Sequence, residues 1–445
     1  MQSKITIKRG INIRLAGKAE MTLRSFESDF HAIIPTDFLF LSPKLLIKEG
    51  DSVKIGTPLF CDKEQESIRL VAPVSGIITE IRRGEKRRIE AIIIQNNKLY
   101  EAEEIQISAE PKREEIVDTL LRSGLWPMIR RRPFDSIANP REKPRDIFIS
   151  GFDSAPLATD FRFIIQDKQK EFQKGLSIIR QLTEGKIYLS LSYGEDYSIF
   201  ENIEHIELRY IKGPHPAGNI GTQIHHIAPI KKGEVVWHLD PWQVTRIGHL
   251  FLHQQIEFTK RIPLCGSEIQ KPQYLEIRDG ASIGKVIRET IRQEHVRIIS
   301  GNILTGQKIT SEGFVGFYDR QVTVIAEGGQ RELLGWLLPG INKWSFSHTF
   351  LSFLFPKKEY KPNTSLQGGR RTLMMNDVYD HVFPFDILPV ELYKACRIKD
   401  AALMEKLGLY EITPEDVALC ELICPSKIEW QQVIREGLEQ LYKER

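Results

Sequence analysis

Two short segments hold the side chains best suited to bind a small ligand. The first runs Trp126-Pro-Met-Ile-Arg130-Arg131-Arg132-Pro133-Phe134. Arginine offers several N–H donors in a fixed fork, and Trp126, Met128 and Phe134 offer flat or adaptable apolar faces. A ring bearing carbonyl oxygens would suit that set. So would an acidic partner, because interfaces are enriched in the same residue types. A plain charged surface loop is the third reading. The second segment is Gly213-Pro-His215-Pro-Ala-Gly218-Asn-Ile-Gly221. Pro214 and Pro216 restrict the backbone and hold His215 in place, where it could bond a carbonyl. Asn219–Gly221 reads as a helix opening, whose unpaired N–H groups suit an anion or a carbonyl. The plainer reading is a rigid strand-to-helix connection whose glycines allow close packing.

Other chemistry is thin. Seven of the eleven histidines fall at 205, 215, 225, 226, 238, 249 and 253. His249 and His253 lie four apart on a predicted helix and share a face. Zinc needs a third ligand and an outer shell, and His-Leu-Phe-Leu-His lacks the internal glutamate of the hydrolytic helix motif. Packed, hydrogen-bonded histidines are expected, and no metal site is assigned. Cys420 and Cys424 are too few for an iron–sulfur cluster, which takes four ligands; a buried pair is expected. There is no Walker loop, no G-x-S-x-G and no H-E-x-x-H, so no catalytic residue is assigned.

The elements that must position these residues give an α/β multidomain chain. In region 106–255, the helix Lys112–Leu125 places Ile116, Leu120 and Leu121 on one face, with Gly124 as its C-cap. Strand Ile147–Ser150 follows, and Gly151 opens a turn. Next come a helix with Phe172, Leu176, Ile179 and Leu182 at helical spacing, strands Ile187–Leu191 and Ile206–Ile211, and the helix Pro241–Gln254. This alternation predicts a mainly parallel, Rossmann-like sheet. Region 256–330 has paired strands, one short helix and a returning strand, a β-grasp pattern. Region 331–445 holds short helices split by proline and glycine. Its last, Ser426–Lys443, is amphipathic through Ile428, Val433, Ile434, Leu438 and Leu441.

Region 1–105 is β-rich. Ser-Pro-Lys-Leu-Leu-Ile-Lys-Glu-Gly-Asp and Ile-Arg-Leu-Val-Ala-Pro-Val-Ser-Gly belong to two half-motifs around a polar tip. The pattern resembles biotinyl and lipoyl carrier barrels. A carrier needs an acylated lysine at that tip, in a Met-Lys-Met or Asp-Lys-Ala context. Here the tip reads Asp62-Lys-Glu-Gln65-Glu-Ser, and Gln65 stands about where the lysine would be. A solvated, unmodified hairpin is expected.

Bulk properties exclude several classes. A net charge of +3 with 27% charged residues gives no electrostatic case for nucleic acid. Five scattered cysteines argue against a disulfide scaffold and for a reducing compartment. Apolar stretches such as Leu-Leu-Gly-Trp-Leu-Leu-Pro-Gly-Ile fall short of the roughly 18–20 residues that span a bilayer. The chain is expected to be soluble by itself and, if it works at a membrane, to be held there by partners.

In order along the chain, Ser-Gly-Leu-Trp…Arg-Pro-Phe, then Ile-Phe-Ile-Ser-Gly-Phe-Asp-Ser-Ala-Pro-Leu-Ala-Thr-Asp, then Gly-Pro-His-Pro-Ala-Gly-Asn-Ile-Gly-Thr-Gln-Ile-His resemble the A subunit (NqrA) of the bacterial sodium-translocating NADH:quinone oxidoreductase, nearly end to end. More distantly the chain resembles the C subunit of the Rnf complex and the flavin-binding subunit of respiratory complex I. In those distant relatives a G-x-G-G-A-G-F-P-T-like loop holds flavin mononucleotide, and C-x-x-C-x-x-C runs ending in Cys-Pro hold iron–sulfur clusters. Here Arg-Arg-Arg-Pro-Phe-Asp-Ser takes the loop's place. Three arginines add bulk and Pro133 removes a donor where a phosphate would need bare backbone N–H groups. Of the cysteine run, only C-x3-C-P remains.

The resemblance implies a peripheral subunit of a sodium-pumping complex that passes electrons from NADH to a quinone, ubiquinone among them. It implies NADH entry elsewhere in the complex, with FAD, FMN, riboflavin and a 2Fe–2S centre carried by other chains and no cofactor held tightly by this one. The implied partners are the other subunits, above all the B subunit in the membrane, at the cytoplasmic face of the bacterial inner membrane. The isolated chain would be inactive. The β-grasp region is then expected to be SLBB-like. Arg130, Arg131, Arg132, Phe134, Gly213, His215, Gly218 and Gly221 are the candidate quinone or partner contacts, expected to share one cleft. Two alternatives stay open. One is a ligand-free assembly scaffold. The other is a flavin and iron–sulfur electron-entry subunit, against which the missing glycines and cysteines argue.

Overall fold

A computed structural model describes residues 4–200, 206–329, 335, 338–366 and 368–444. At its centre lies a seven-stranded sheet. Its strands are β1 (Lys4–Thr6), β2 (Arg130–Arg132), β3 (Ser136–Ile137), β4 (Ile147–Ser150), β5 (Ile187–Ser192), β6 (Glu207–Lys212) and β7 (Val236–Leu239). Side by side they run β1-β6-β5-β4-β7-β2-β3. The first five in that order are parallel, and β2 and β3 are antiparallel. The Arg130–Arg132 segment is therefore a strand in a hairpin with Ser136–Ile137, not a loop.

The inner strands are apolar on both faces, as a parallel sheet covered on both sides requires. Ile147 and Ile149 of β4 face one core with Trp237 and Leu239. Phe148 faces the other, with Tyr188 and Val236. Helices α1 (Gln169–Arg180) and α3 (Pro241–His253) cover the first face, and α2 (Ile220–Ile227) covers the second. Asp240 starts α3 by accepting the Gln243 N–H at 2.8 Å, while the Gln243 side chain accepts the Asp240 N–H at 2.9 Å. Pro241 occupies the first turn, where no donor is needed. Two glycines let α1 and α3 touch through their backbones. A Cβ on Gly248 would lie 1.7 Å from the Glu171 carbonyl oxygen, and one on Gly175 would lie 2.0 Å from that of Val244.

Two strands from the first hundred residues pair elsewhere. β1 lies beside β6, and Glu20–Ser25 joins a six-stranded sheet built mostly from residues 259–326. That sheet carries the helix Gly284–Thr290, whose Val286 and Ile287 pack on Leu264, Leu275 and Val324. Between these strands, residues 30–96 form two small antiparallel sheets, of four and three strands, closed around Phe60, Val74, Ile92 and Ile94. Their polar tip is a hairpin turn, and the Gln65 amide donates to Asn139 of the central domain at 3.1 Å. That bond anchors one side of the tip, while Lys63, Glu64, Glu66 and Ser67 stay exposed, as expected of a solvated hairpin.

The C-terminal body packs helices Pro389–Ile398, Ala401–Lys406, Ala418–Ile423 and Trp430–Lys443 around Tyr379, Trp430 and Leu438. All five cysteines are buried thiols. Cys424 Sγ lies 3.1 Å from the Tyr379 hydroxyl, and burial pushes the Cys420 thiol above its ordinary range. Among the described residues no helix is long and apolar enough to cross a membrane. The stretch 333–341 lies partly outside them, and His205 lies wholly outside.

Candidate functional site

The order β6-β5-β4-β7 means that the chain winds outward one way from β4 and then crosses to its other side. Ligands in such sheets gather at the carboxyl ends of the strands flanking that reversal. A cleft of about 240 Å³ opens there, lined by Ser150 at the end of β4 and by Leu239 and Asp240 at the end of β7. Residues from the other bodies close it: Tyr318, Asp319 and Arg320 from the loop before the β-grasp strand Val322–Ala326, Glu415, Gln431 and Arg435 from the helical body.

Of the residues singled out in the sequence, Arg130, His215 and Gly218 line this cleft. His215 is buried, and its Nδ1 lies 3.0 Å from the Ser154 hydroxyl. That oxygen already accepts the Gly218 N–H at 2.7 Å. The arrangement that satisfies both has Ser154 donating to Nδ1, so Nε2 carries the ring proton. Burial pushes His215 down to about 4, against the opposing pull of Asp153, so the ring is neutral near pH 7. Arg130 donates to Asp135 at 2.8 Å and lies 4.6 Å over the Tyr318 ring.

Arg131, Arg132, Phe134, Gly213 and Gly221 do not line the cleft. Along a strand successive side chains point to opposite faces, so Arg131 turns away from Arg130 and pairs with Glu142 at 2.9 Å. Arg132 has a side chain only 1% exposed; it donates to Glu415 at 2.9 Å and lies 3.4 Å from Asp416. Phe134 enters the core of the helical body, edge-on to Tyr442 at 5.5 Å. A Cβ on Gly213 would lie 2.6 Å from the Ile7 carbonyl oxygen, and one on Gly221 would lie 2.5 Å from an Asp416 oxygen. At those two glycines neighbouring chain approaches too closely for a side chain. The segment does open a helix, with Asn219 as the residue before α2.

Residue spacing gave no sign of most of the cleft's polar groups. Asp135 receives Arg130 and the His238 Nε2–H at 2.9 Å. Burial alone would raise its carboxyl, but the charges of Arg130 and Arg132 hold it far below the usual range. Burial pushes His238 down to about 4 despite that bond. Glu415 is pushed up to about 7 by burial and by neighbouring Asp416, with Arg132 opposing. Arg435 is the outlier: its Nη1 is buried without a hydrogen-bond partner, and burial pushes its pKa down. Asp135 stands in the Arg-Arg-Arg-Pro-Phe-Asp-Ser run. Tyr318, Glu415 and Arg435 lie far along the chain and had no local signal. His225 and His226 are bonded, to Glu411 at 3.0 Å and to the Pro384 carbonyl at 2.9 Å, as expected of packed histidines.

Fold and site together define a class: a Rossmann-like protein, flanked by β modules, in which an arginine hairpin borders a polar cleft at the carboxyl ends of the central strands. Matches to known families are specific. Residues 5–97 match the NqrA N-terminal barrel-sandwich hybrid domain, 111–256 the NqrA second alpha/beta domain, and 262–311 the NQRA C-terminal domain. The chain is 34% identical over 449 residues to the A subunit of the Na(+)-translocating NADH-quinone reductase of Yersinia pestis bv. Antiqua, covering 99% of this chain and 100% of that protein. The same subunit of Neisseria meningitidis serogroup B is 35% identical over 447 residues, with 99% and 100% covered. That of Rhodopirellula baltica is 34% identical over 453 residues, with 100% and 99% covered. The chain belongs to the NqrA family, the A subunits of the Na(+)-translocating NADH-quinone reductase.

Proposed function

We propose that this chain serves the quinone end of a sodium-pumping NADH:quinone oxidoreductase and that its cleft receives a quinone headgroup. The observation that carries this reading is Arg435. A buried guanidinium nitrogen without a partner is costly, and this one lines the same cleft as His215 and Arg130. A ligand with two acceptor oxygens would satisfy Arg435 and the His215 Nε2–H together. The cleft, at about 240 Å³, falls below the roughly 300–1,000 Å³ usual for larger ligands. One ring suits it better than a flavin nucleotide, whose loop is replaced by the Arg130–Phe134 hairpin. The long apolar tail of a quinone would then run outside.

In this reading the chain holds no tight cofactor; the flavins and the iron–sulfur centre belong to other subunits. It sits at the cytoplasmic face of the membrane, held by the B subunit there. Leu338, Ile341, Leu351, Phe353, Leu354 and Phe355 are each about half exposed or more and close together in sequence. Apolar groups of this size left in water mark interaction surfaces, and they supply the docking face.

The test is quinone reduction by the assembled complex, with NADH oxidation by an artificial acceptor as control. His215→Ala removes the Nε2–H donor, and Arg435→Met removes the guanidinium with its unpaired Nη1. Each should weaken apparent quinone affinity about two- to tenfold, from roughly 0.5–1.5 kcal/mol per hydrogen bond, and spare the control reaction. Unchanged quinone affinity in both variants, in a correctly assembled complex, would leave the ligand-free scaffold as the better account. Flavin absorbance on the purified chain would point to the electron-entry reading.

A further inference from the structure

The contact between α1 and α3 builds a second constellation, away from the cleft. Sequence alone assigned no metal to His249 and His253 because no third ligand could be named. The structure supplies one. Gly248 rests on the Glu171 carbonyl, so the first turn of α1 is pressed against the last turn of α3. Glu171 thereby meets both histidines. One ligand atom from each of Glu171, His249 and His253 lies within 4.8 Å of the others. His253 Nε2 is already 3.6 Å from Glu171 Oε1.

Ligands held at about 2.0–2.2 Å in a tetrahedron stand roughly 3.3–3.6 Å apart. Rotamer adjustments of about 1 Å would therefore close the set. Glu257, in the connection leaving α3, adds a feature metal sites use. Its Oε2 lies 3.4 Å from His249 Nδ1, and that nitrogen is buried with no hydrogen-bond partner. Ligating histidines commonly turn their second ring nitrogen to a carboxylate, which fixes the tautomer and orients the ring. The environment also holds a competitor: Lys168 Nζ lies 3.7 Å from Glu171 Oε1.

We propose that Glu171, His249 and His253 bind one divalent ion of the zinc class, with Glu257 orienting His249. Two imidazoles and a carboxylate suit zinc, cobalt(II) or nickel(II) better than magnesium or calcium, which prefer all-oxygen shells. His253 is 43% exposed, so solvent can reach the fourth position. The ion ties α1 to the end of α3, next to the connection into the β-grasp sheet.

The test uses the full purified chain, stripped with chelator and titrated with Zn2+ by calorimetry and with Co2+ by its visible d–d bands. One equivalent should bind, with strong bands typical of four-coordinate cobalt, and the melting temperature should rise with free metal. His253→Ala and Glu171→Gln each remove a ligand and should abolish the cobalt bands. Glu257→Gln should weaken binding about 10–100-fold, and Lys168→Gln should tighten it. His226→Ala, on the far face of the sheet, should leave the cobalt bands and the metal affinity unchanged. Absence of binding to the wild-type chain overturns the proposal. So does binding that survives in both His253→Ala and Glu171→Gln. His253 is half-exposed, so its replacement keeps the comparison interpretable even if Glu171→Gln folds poorly.

Discussion

Arg132 shows how one side chain can mislead a reading by composition. Its guanidinium is spent inside the protein, on Glu415 and Asp416 and at 3.6 Å from Asp135. Breaking a buried ion pair from one side leaves the other charge uncompensated, at about 3–5 kcal/mol. Arg132→Met should therefore lower unfolding stability by that order in a denaturant titration, with Asp416 the group left stranded. His238 offers a pH test. Its folded value of about 4 lies below the ordinary 6.5. Its contribution is thus present above pH 6.5 and is lost as pH falls through 4. His238→Gln removes the titrating group, so the stability-versus-pH slope between those values should be shallower than in the wild type. His215 and Gly218 were legible in the sequence because prolines and glycines mark rigid approaches. Arg131 was not separable from Arg130, since a strand was not anticipated there and alternation then decides which arginine faces the cleft. Arg435 lies on the last amphipathic helix with nothing nearby in the sequence to mark it; tertiary packing half-buries it and covers its Nη1.

At the scale of elements, apolar periodicity did well where it was long. The helices at 113–122 and 241–253 and the strand 147–150 fall within a few residues of their expected spans, and the helix 169–180 carries Phe172, Leu176 and Ile179 as expected but ends before Leu182. Strand Arg130–Arg132 was hidden by its three charges. Strand Val236–Leu239 was missed because four residues following Lys-Lys-Gly-Glu carry too short a pattern to stand out. No periodicity marks a backbone contact such as that of Gly248 on Glu171. A methyl group there meets a carbonyl of the neighbouring helix, not a movable side-chain end. Gly248→Ala should force the helices apart and cost roughly 1–3 kcal/mol or more, measured by thermal or denaturant unfolding. The same variant should weaken zinc binding, because Glu171 would move away from both histidines. A serine at this position should behave no better, which separates steric displacement from helix propensity.

For the whole molecule, the order of the regions was readable along the chain, but not how they interlock. The cleft takes residues from three of them, and spacing along the chain carries no trace of such convergence. The apolar side chains at 338–355 make a prediction at this scale. Paired replacements Phe353→Asp and Leu354→Asp should leave the melting temperature of the isolated chain within about 1 °C, as surface changes usually do. They should sharply reduce its recovery with the membrane subunits after mild solubilisation. Full recovery would place the docking face elsewhere.

The strand Glu20–Ser25 has a consequence in time as well as in space. Arg24 sits beside Leu275, more than half the chain further on. The small β module at 30–96 can close on itself soon after it is made. The strand just before it stays unpaired until the β-grasp region arrives. Contacts of such long range are slow to form, and a strand without a neighbour is a site for wrong association. Four of the strand's six side chains are polar or charged, which keeps it soluble while it waits. Synthesis thus leaves a loose end early and ties it late, so the bodies are laced together only after most of them exist.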